Sequence, residues 1–225
     1  MSRFYAVVLS AGVGSRMQSD IPKQYLMLKD KPVLAHSLLA FENSDVDAIV
    51  IVCGKGDEDY IKTEFVEKYS LKKVCAIVTG GAERYNSVYN GLAACEGADY
   101  VLIHDGARPY VTKEIIKINM EEVAKFKAVV TAVKATDTVK IADDEGFVVS
   151  TPERKNVYFM QTPQTFEYKL AFDSYSSYIK SLENGSDIKA TDDAQVVEMF
   201  SDTKVKLIEG DYSNIKITVP KDLNI

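Results

Sequence analysis

Residues 6–17 read AVVLSAGVGSRM, and the way this stretch ends decides the fold. AVVL (6–9) is continuously apolar, the pattern of a strand buried on both faces. It runs into Ser10-Ala11-Gly12-Val13-Gly14-Ser15-Arg16-Met17. A glycine loop between strand and helix lets backbone amides close on phosphate. The loop is no Walker sequence, because no Gly-Lys-Ser/Thr follows, and Met17 stands where a dinucleotide fingerprint has its third glycine. No acidic residue ends the second strand, where Cys53-Gly54 stand. A tight turn without a ligand is the competing reading of these glycines.

Outward from this strand the chain alternates. AIVIVC (48–53), VCAIVTG (74–80), YVLIHD (100–105) and AVVTAV (128–133) are further apolar runs. Between them, 33–41 places Val33, Leu34, Leu38 and Phe41 on one helical face, and 57–69, 83–95 and 113–125 also have helical period. This order predicts an α/β fold with a doubly wound, mostly parallel sheet, which puts ligands at the carboxyl ends of its strands.

The alternation breaks after Val133. Residues 136–159 read as two polar extended stretches around an Asp-Glu-Gly turn, a projecting β-arm with little core of its own. Two helices (167–183, 192–200) and two short strands, VKLIEG (205–210) and IKITV (215–219), follow. With no repeat or linker in between, 1–225 is read as one domain carrying an arm at about 136–159.

The 225 residues carry 27 Lys and Arg against 33 Asp and Glu, a net charge of −6. A pI near 5.1 removes the basic footprint of a general nucleic-acid binder. At 46% hydrophobic and 27% charged, the composition is that of a folded globular chain. No apolar run approaches the roughly 18 residues of a membrane span, and Phe4 to Leu9 is too short for a signal-peptide core. Cys53, Cys75 and Cys95 lack metal spacing and read as small buried hydrophobes, reduced in a cytoplasm.

Three segments can carry chemistry. Arg16 and Lys23, the latter behind the stiffening Pro22, are cations beside the glycine loop and can offset a triphosphate; a solvated surface pair is the alternative. GGAERYNSVYNGL (80–92) is a second glycine turn into a helix, with Arg84 and Ser87 in its first turn. HDGARP (104–109) sets Asp105 and Arg108 where a strand emerges, and such a carboxylate can hold Mg²⁺ together with substrate phosphates. A structural turn, Asp105 pairing with Arg108, explains the same residues. Neither histidine adds chemistry: His36 lies mid-helix at the edge of the core, and His104 precedes Asp105 with no Ser or Cys near it in sequence.

The ordered segments LSAGVGSRM…PKQYL, GGAERYNSVYNGL, HDGARP, DTVK, TPER, QTPQTF, ATDDA and NIKIT resemble the sugar-alcohol-phosphate cytidylyltransferases nearly end to end. Within that family, DTVK and TDDA look like the branch acting on a methylerythritol phosphate; ribitol 5-phosphate is the alternative acceptor. The resemblance implies a Rossmann-like nucleotidyltransferase fold and CMP transfer from CTP to a polyol phosphate with Mg²⁺. Arg16, Lys23 and Lys216 would neutralise the triphosphate, and Asp105 would hold the metal. Ser10, Ala11, Gly12, Gly14, Gly81 and Ser87 would bind the nucleotide. Asp105, Arg108, Thr138, Arg154, Thr162 and Thr191 would bind the sugar phosphate. A homodimer with a shared site is implied as well, Thr138 and Arg154 reaching across. Ser10 and Gly106 depart from the usual alanines, both small. Two rivals are a nicotinamide oxidoreductase, on Tyr25 and Lys29, and a non-catalytic nucleotide sensor. The Tyr-x-x-x-Lys spacing lies too early in the chain for the first, and the retained Arg16, Lys23 and Asp105 oppose the second.

Overall fold

A computed structural model of the chain describes residues 2–12, 17 and 21–224. In chain order the strands are β1 (Phe4–Ser10), β2 (Met27–Leu28), β3 (Lys31–Pro32), β4 (Ala48–Cys53), β5 (Val74–Thr79), β6 (Tyr100–Asp105), β7 (Ala128–Lys134), β8 (Ile141–Ala142), β9 (Val148–Ser150), β10 (Tyr158–Glu167) and β11 (Lys206–Glu209). The α-helices are α1 (Val33–Glu42), α2 (Glu58–Ile61), α3 (Arg84–Ala93), α4 (Lys113–Phe126), α5 (Tyr168–Glu183) and α6 (Asp193–Phe200).

Seven strands form one sheet in the order β11-β7-β10-β6-β1-β4-β5. β1 pairs parallel with β4 and β6, and β4 with β5. β10 alone runs antiparallel, between β6 and β7, while β11 is parallel to β7. Alternate residues of each central strand feed two separate cores, as the pleat requires. Val7, Val50, Val52, Val101 and Ile103 pack with α3, α5 and α6 residues such as Leu92, Tyr175 and Val197. Ala6, Val8, Ile49, Ile51 and Leu102 pack with Leu34, Leu38, Phe41 and Ile116 of α1 and α4. The doubly wound, mostly parallel α/β expectation is therefore the observed fold.

Two expectations need correction, and both concern polar segments. Residues 158–167 form the longest described strand of the sheet, inserted between β6 and β7, where the sequence reading had only the end of an arm and the start of a helix. Gln161, Thr162, Gln164 and Thr165 are buried there, their polar atoms bonded to other side chains and carbonyls. Without an apolar run, the strand had no hydrophobic signature. Conversely, IKITV (215–219) forms no strand. Ile217 is buried beside Met17, Leu28 and Val33, but its N–H reaches a loop carbonyl, Ala107 O, at 2.8 Å. One face is buried without a neighbouring ladder.

β8 and β9 pair only with each other, as a separate two-stranded sheet, and every residue from 140 to 151 is exposed. Cys53 and Cys95 are buried, but Cys75, on the edge strand β5, is exposed, contrary to the sequence reading. No described helix is long and apolar enough to cross a membrane.

Candidate active site

The parallel pairing sets the carboxyl ends of four strands side by side. Leu9 lies opposite Asp105, Ser10 opposite Cys53, and Cys53 opposite Thr79. A cleft of about 360 Å³ opens directly above these ends. Ser10, Ala11 and Gly12 wall it on one side, with Gly81 and Ser87 on another. Lys23, Asp105 and Lys216 complete it. Segments up to about two hundred residues apart in sequence thus share one cavity.

The cleft is narrow because two loops meet without side chains between them. A Cβ at Gly80 would come within 2.5 Å of Ala11 Cβ and 2.7 Å of Ser87 Oγ, so only glycine admits this approach. Ser87 Oγ accepts from Gly81 N–H at 3.1 Å and donates to Glu83 O at 3.2 Å. Asn86 Oδ1 accepts from Glu83 N–H, closing the start of α3. The Ser10 hydroxyl points away from the cleft, donating to Val52 O at 3.1 Å, while its carbonyl accepts from Gln24 Nε2 at 2.6 Å. Gln24 is only 3% exposed and lines the cleft. Sequence reading missed this residue, although it sits in the PKQYL segment beside Lys23.

Asp105 is the electrostatic centre. Lys216 Nζ stands 2.9 Å from its Oδ2, Arg108 Nε 3.8 Å from the same oxygen, and Arg84 Nη2 3.6 Å from Oδ1. Burial alone pushes the Asp105 carboxyl up, but Arg84, Lys216 and Arg108 together outweigh it and hold the group well below the usual carboxylate range. Arg108 is fixed from behind: Nη1 donates to Asn214 O at 2.7 Å and Nη2 to Met160 O at 3.3 Å. Met160 O is within the stretch where the register of β10 with β7 slips, between Met160 and Gln164. Such a slip turns carbonyls out of the ladder, and Asn214 Nδ2 uses Thr162 O at 2.9 Å in the same way. Lys23 Nζ donates to Ile217 O at 3.0 Å, one residue beyond Lys216. The expected strand at 215–219 is instead a strap that brings Lys216 onto Asp105 and Lys23 beside it.

Other expected site residues lie outside the cleft lining. Thr162 is buried behind Asp105, accepting from the Asp105 N–H at 3.1 Å. Thr191 lines a neighbouring cavity of about 250 Å³, which shares Glu83 and Arg84 with the cleft. Thr138 and Arg154 are exposed on and beside the hairpin, and Arg154 Nη1 donates to Thr136 O at 3.2 Å. Arg16 and Gly14 lie outside the described residues. Arg84, to which sequence reading gave no role, stands in the cleft wall with its guanidinium on Asp105 and on Asp193.

Chemically, the cleft offers several cations and one central carboxylate to an anionic ligand. Among the described residues no three His, Cys, Asp or Glu gather as a ready metal cage. Asp105 is a hard oxygen donor of the kind that holds a divalent ion together with phosphate oxygens and water, and in this structure its two oxygens face Lys216 and Arg84.

Comparisons with known proteins point the same way as this geometry. The family model for IspD, 2-C-methyl-D-erythritol 4-phosphate cytidylyltransferase, matches residues 4–225. A protein of that name from Lachnoclostridium phytofermentans is 47% identical over 226 residues, covering 99% of this chain and 94% of its own. One from Alkaliphilus oremlandii is 43% identical, with 99% and 93% covered. The crystal structure of 4-diphosphocytidyl-2C-methyl-D-erythritol synthase from Anaerococcus prevotii superposes with a TM-score of 0.87 at 38% identity, covering 99% and 93%. Matched by this family's model over residues 4–225 and by full-length relatives at 47% and 43% identity, the chain belongs to the 2-C-methyl-D-erythritol 4-phosphate cytidylyltransferases.

Proposed function

We infer that this chain transfers CMP from CTP to 2-C-methyl-D-erythritol 4-phosphate, releasing pyrophosphate and forming 4-diphosphocytidyl-2-C-methyl-D-erythritol for isoprenoid biosynthesis. The observation that carries the reading is the cleft itself: a glycine-bordered pocket at the carboxyl ends of parallel strands, with Lys23, Lys216 and Arg84 around Asp105. An oxygen of the acceptor's phosphate attacks the α-phosphorus of CTP, a new P–O bond forms, and the bond to the β-phosphate breaks. The attacking oxygen is already anionic near neutral pH, so no general base is required. The chain's work is positioning and charge stabilisation. Lys23 and Lys216, with Arg16 by family resemblance, neutralise the triphosphate as charge shifts to the departing pyrophosphate. Ala11, Gly12, Gly81 and Ser87 frame the nucleotide, and Ser10, through its carbonyl, is held in place by Gln24. Arg108 and Thr191 serve the acceptor, and Thr162, from behind, holds the Asp105 backbone.

Asp105 would hold Mg²⁺, which would supply charge stabilisation to the phosphates. We further read the chain as one cytoplasmic domain that works as a homodimer, the arm at about 136–159 carrying Thr138 and Arg154 to the partner's acceptor site. The free thiols support the compartment.

Pyrophosphate release across four nucleoside triphosphates and several polyol phosphates, with and without a chelator, tests the reading. CTP with methylerythritol phosphate should exceed every other pair, and chelation should stop turnover. A site built to satisfy a buried polar group rejects a ligand lacking it by large factors. Equal rates with CTP and UTP, or preference for ribitol 5-phosphate, would overturn the assignment.

A further inference from the structure

Asp193, the first residue of α6, is completely buried. Arg84 takes both its oxygens, Nη1 on Oδ1 at 2.6 Å and Nη2 on Oδ2 at 2.8 Å. The hydroxyl of Tyr175, itself 1% exposed, donates to the same carboxylate. A two-point pairing of this kind fixes the plane of a guanidinium as well as its position. From that fixed plane Nη2 faces Asp105 Oδ1, while Lys216 holds Oδ2.

The arrangement is asymmetric. The Asp193 end is sealed between α5 and α6, whereas the Arg84 side chain is 35% exposed and forms part of the cleft wall. A pair serving the fold alone has no reason to open onto the cleft, and apolar residues of similar volume often hold a core as well or better. Burial works against the charge of Arg84, but Asp193 first and Asp105 second more than restore it, so a permanent cation faces Asp105.

We propose that Asp193 and Tyr175 are positioning residues for the reaction: acting through Arg84, they set the rotation of the Asp105 carboxylate. Without Asp193, Arg84 has a single carboxylate left to pair with and closes onto Asp105, turning that carboxylate from its working rotation. The inference rests on the function proposed above.

The test uses the full-length chain with Asp193→Asn, Tyr175→Phe, Arg84→Lys and the double variant Arg84→Lys/Asp193→Asn. Each is assayed at a temperature where circular dichroism melts show it folded. Lysine cannot bridge two carboxylates in a plane, so Arg84→Lys and Asp193→Asn should each lower kcat by about tenfold or more, the scale of a misplaced reacting group. KM for CTP should stay within about twofold, because the interaction removed is one that acts in the transition state and not in ground-state binding. Tyr175→Phe, which removes one oxygen, should act in the same direction and less. The double variant should fall no further than the worse single one, because both act on one chain of interactions. Unchanged kcat in folded Tyr175→Phe or Asp193→Asn, or effects that multiply in the double variant, would overturn the proposal. If Asp193→Asn does not fold, Tyr175→Phe decides alone. Wild-type enzyme assayed in parallel separates the two readings: no CMP transfer from wild type sinks the function, whereas normal wild-type turnover with unaffected variants sinks only the positioning role.

Discussion

Behind Asp105 the hydrogen bonds leave the neutral His104 ring one tautomer. Thr162 Oγ1 accepts from the Asp105 N–H, so its own proton is available to His104 Nδ1 at 3.0 Å. His104 Nε2 must then carry the ring's hydrogen and donate to Arg108 O at 3.2 Å. Burial pushes the ring down to about 4, with Asp105 pulling it up and Arg108 pushing it further down. The unfolded ring titrates near 6.5, so between pH 6.5 and 4 the unfolded chain binds the extra proton. Stability from this group is therefore complete above about 6.5 and lost as pH falls toward 4, by on the order of 3 kcal/mol. Asp105, depressed instead, loses its contribution only below the ordinary carboxylate range, outside this window. Urea unfolding free energies measured from pH 7 to 4 should fall steeply for the native chain and more shallowly for His104→Gln; parallel slopes would contradict the assignment. Asp105, Lys23 and Lys216 were legible in sequence because each stands inside a short motif. His104 was not, because its partner Thr162 lies 58 residues away.

The elements divide by how their segments are buried. Five of the six parallel strands, β1, β4, β5, β6 and β7, and the helices between them were readable within a few residues, because apolar runs and helical period record burial directly. β10 was unreadable, since Asn119, Thr131 and Asn214 bond its polar side chains and carbonyls in place of apolar packing. The strap at 215–219 alternates like a strand because one face is buried, and alternation says nothing about whether a neighbouring strand exists. Packing between α3 and the sheet makes an element-scale prediction. Gly91 sits on α3 against β1 and β4, where an added Cβ would meet Val7 Cγ1 at 2.5 Å and Val52 Cγ2 at 2.9 Å. Alanine favours helix over glycine by about 1 kcal/mol, but overpacking a tight core costs about 1–3 kcal/mol. The neighbours are branched core side chains with no free end to swing away, so the clash should win. Gly91→Ala is expected to lower the denaturation midpoint. Because α3 begins at Arg84, raising it from the sheet should reduce turnover in the folded fraction as well. A midpoint equal to or above the native value would show that the helix shifts freely.

At the scale of the whole molecule, the arm is what remains unexplained by one chain. Its hairpin exposes Phe147 at 68% and Val149 at 66%, with Ile141 and Val148 also open, around a two-stranded sheet that buries nothing. Two strands without a packed face are marginal in water, and large apolar side chains left open on such a hairpin point to an interaction surface. A second copy joined by a two-fold axis would cover both hairpins at once. Thr138 and Arg154, implied by resemblance to bind the acceptor, line no part of the cleft of their own chain. Together these features give the proposed dimer a kinetic test. Two inactive variants are prepared, Lys23→Ala in the cleft and Arg154→Ala beside the arm, mixed in equal amounts and allowed to exchange subunits. If Arg154 serves the partner's site, each mixed dimer holds one doubly damaged site and one intact site. Random exchange makes about half the dimers mixed, so about a quarter of wild-type activity should return. If each chain builds its own site, every site in a mixed dimer keeps one lesion and no activity returns. Verified exchange without recovery would therefore confine Arg154 to its own chain and leave the arm's apolar face to another role.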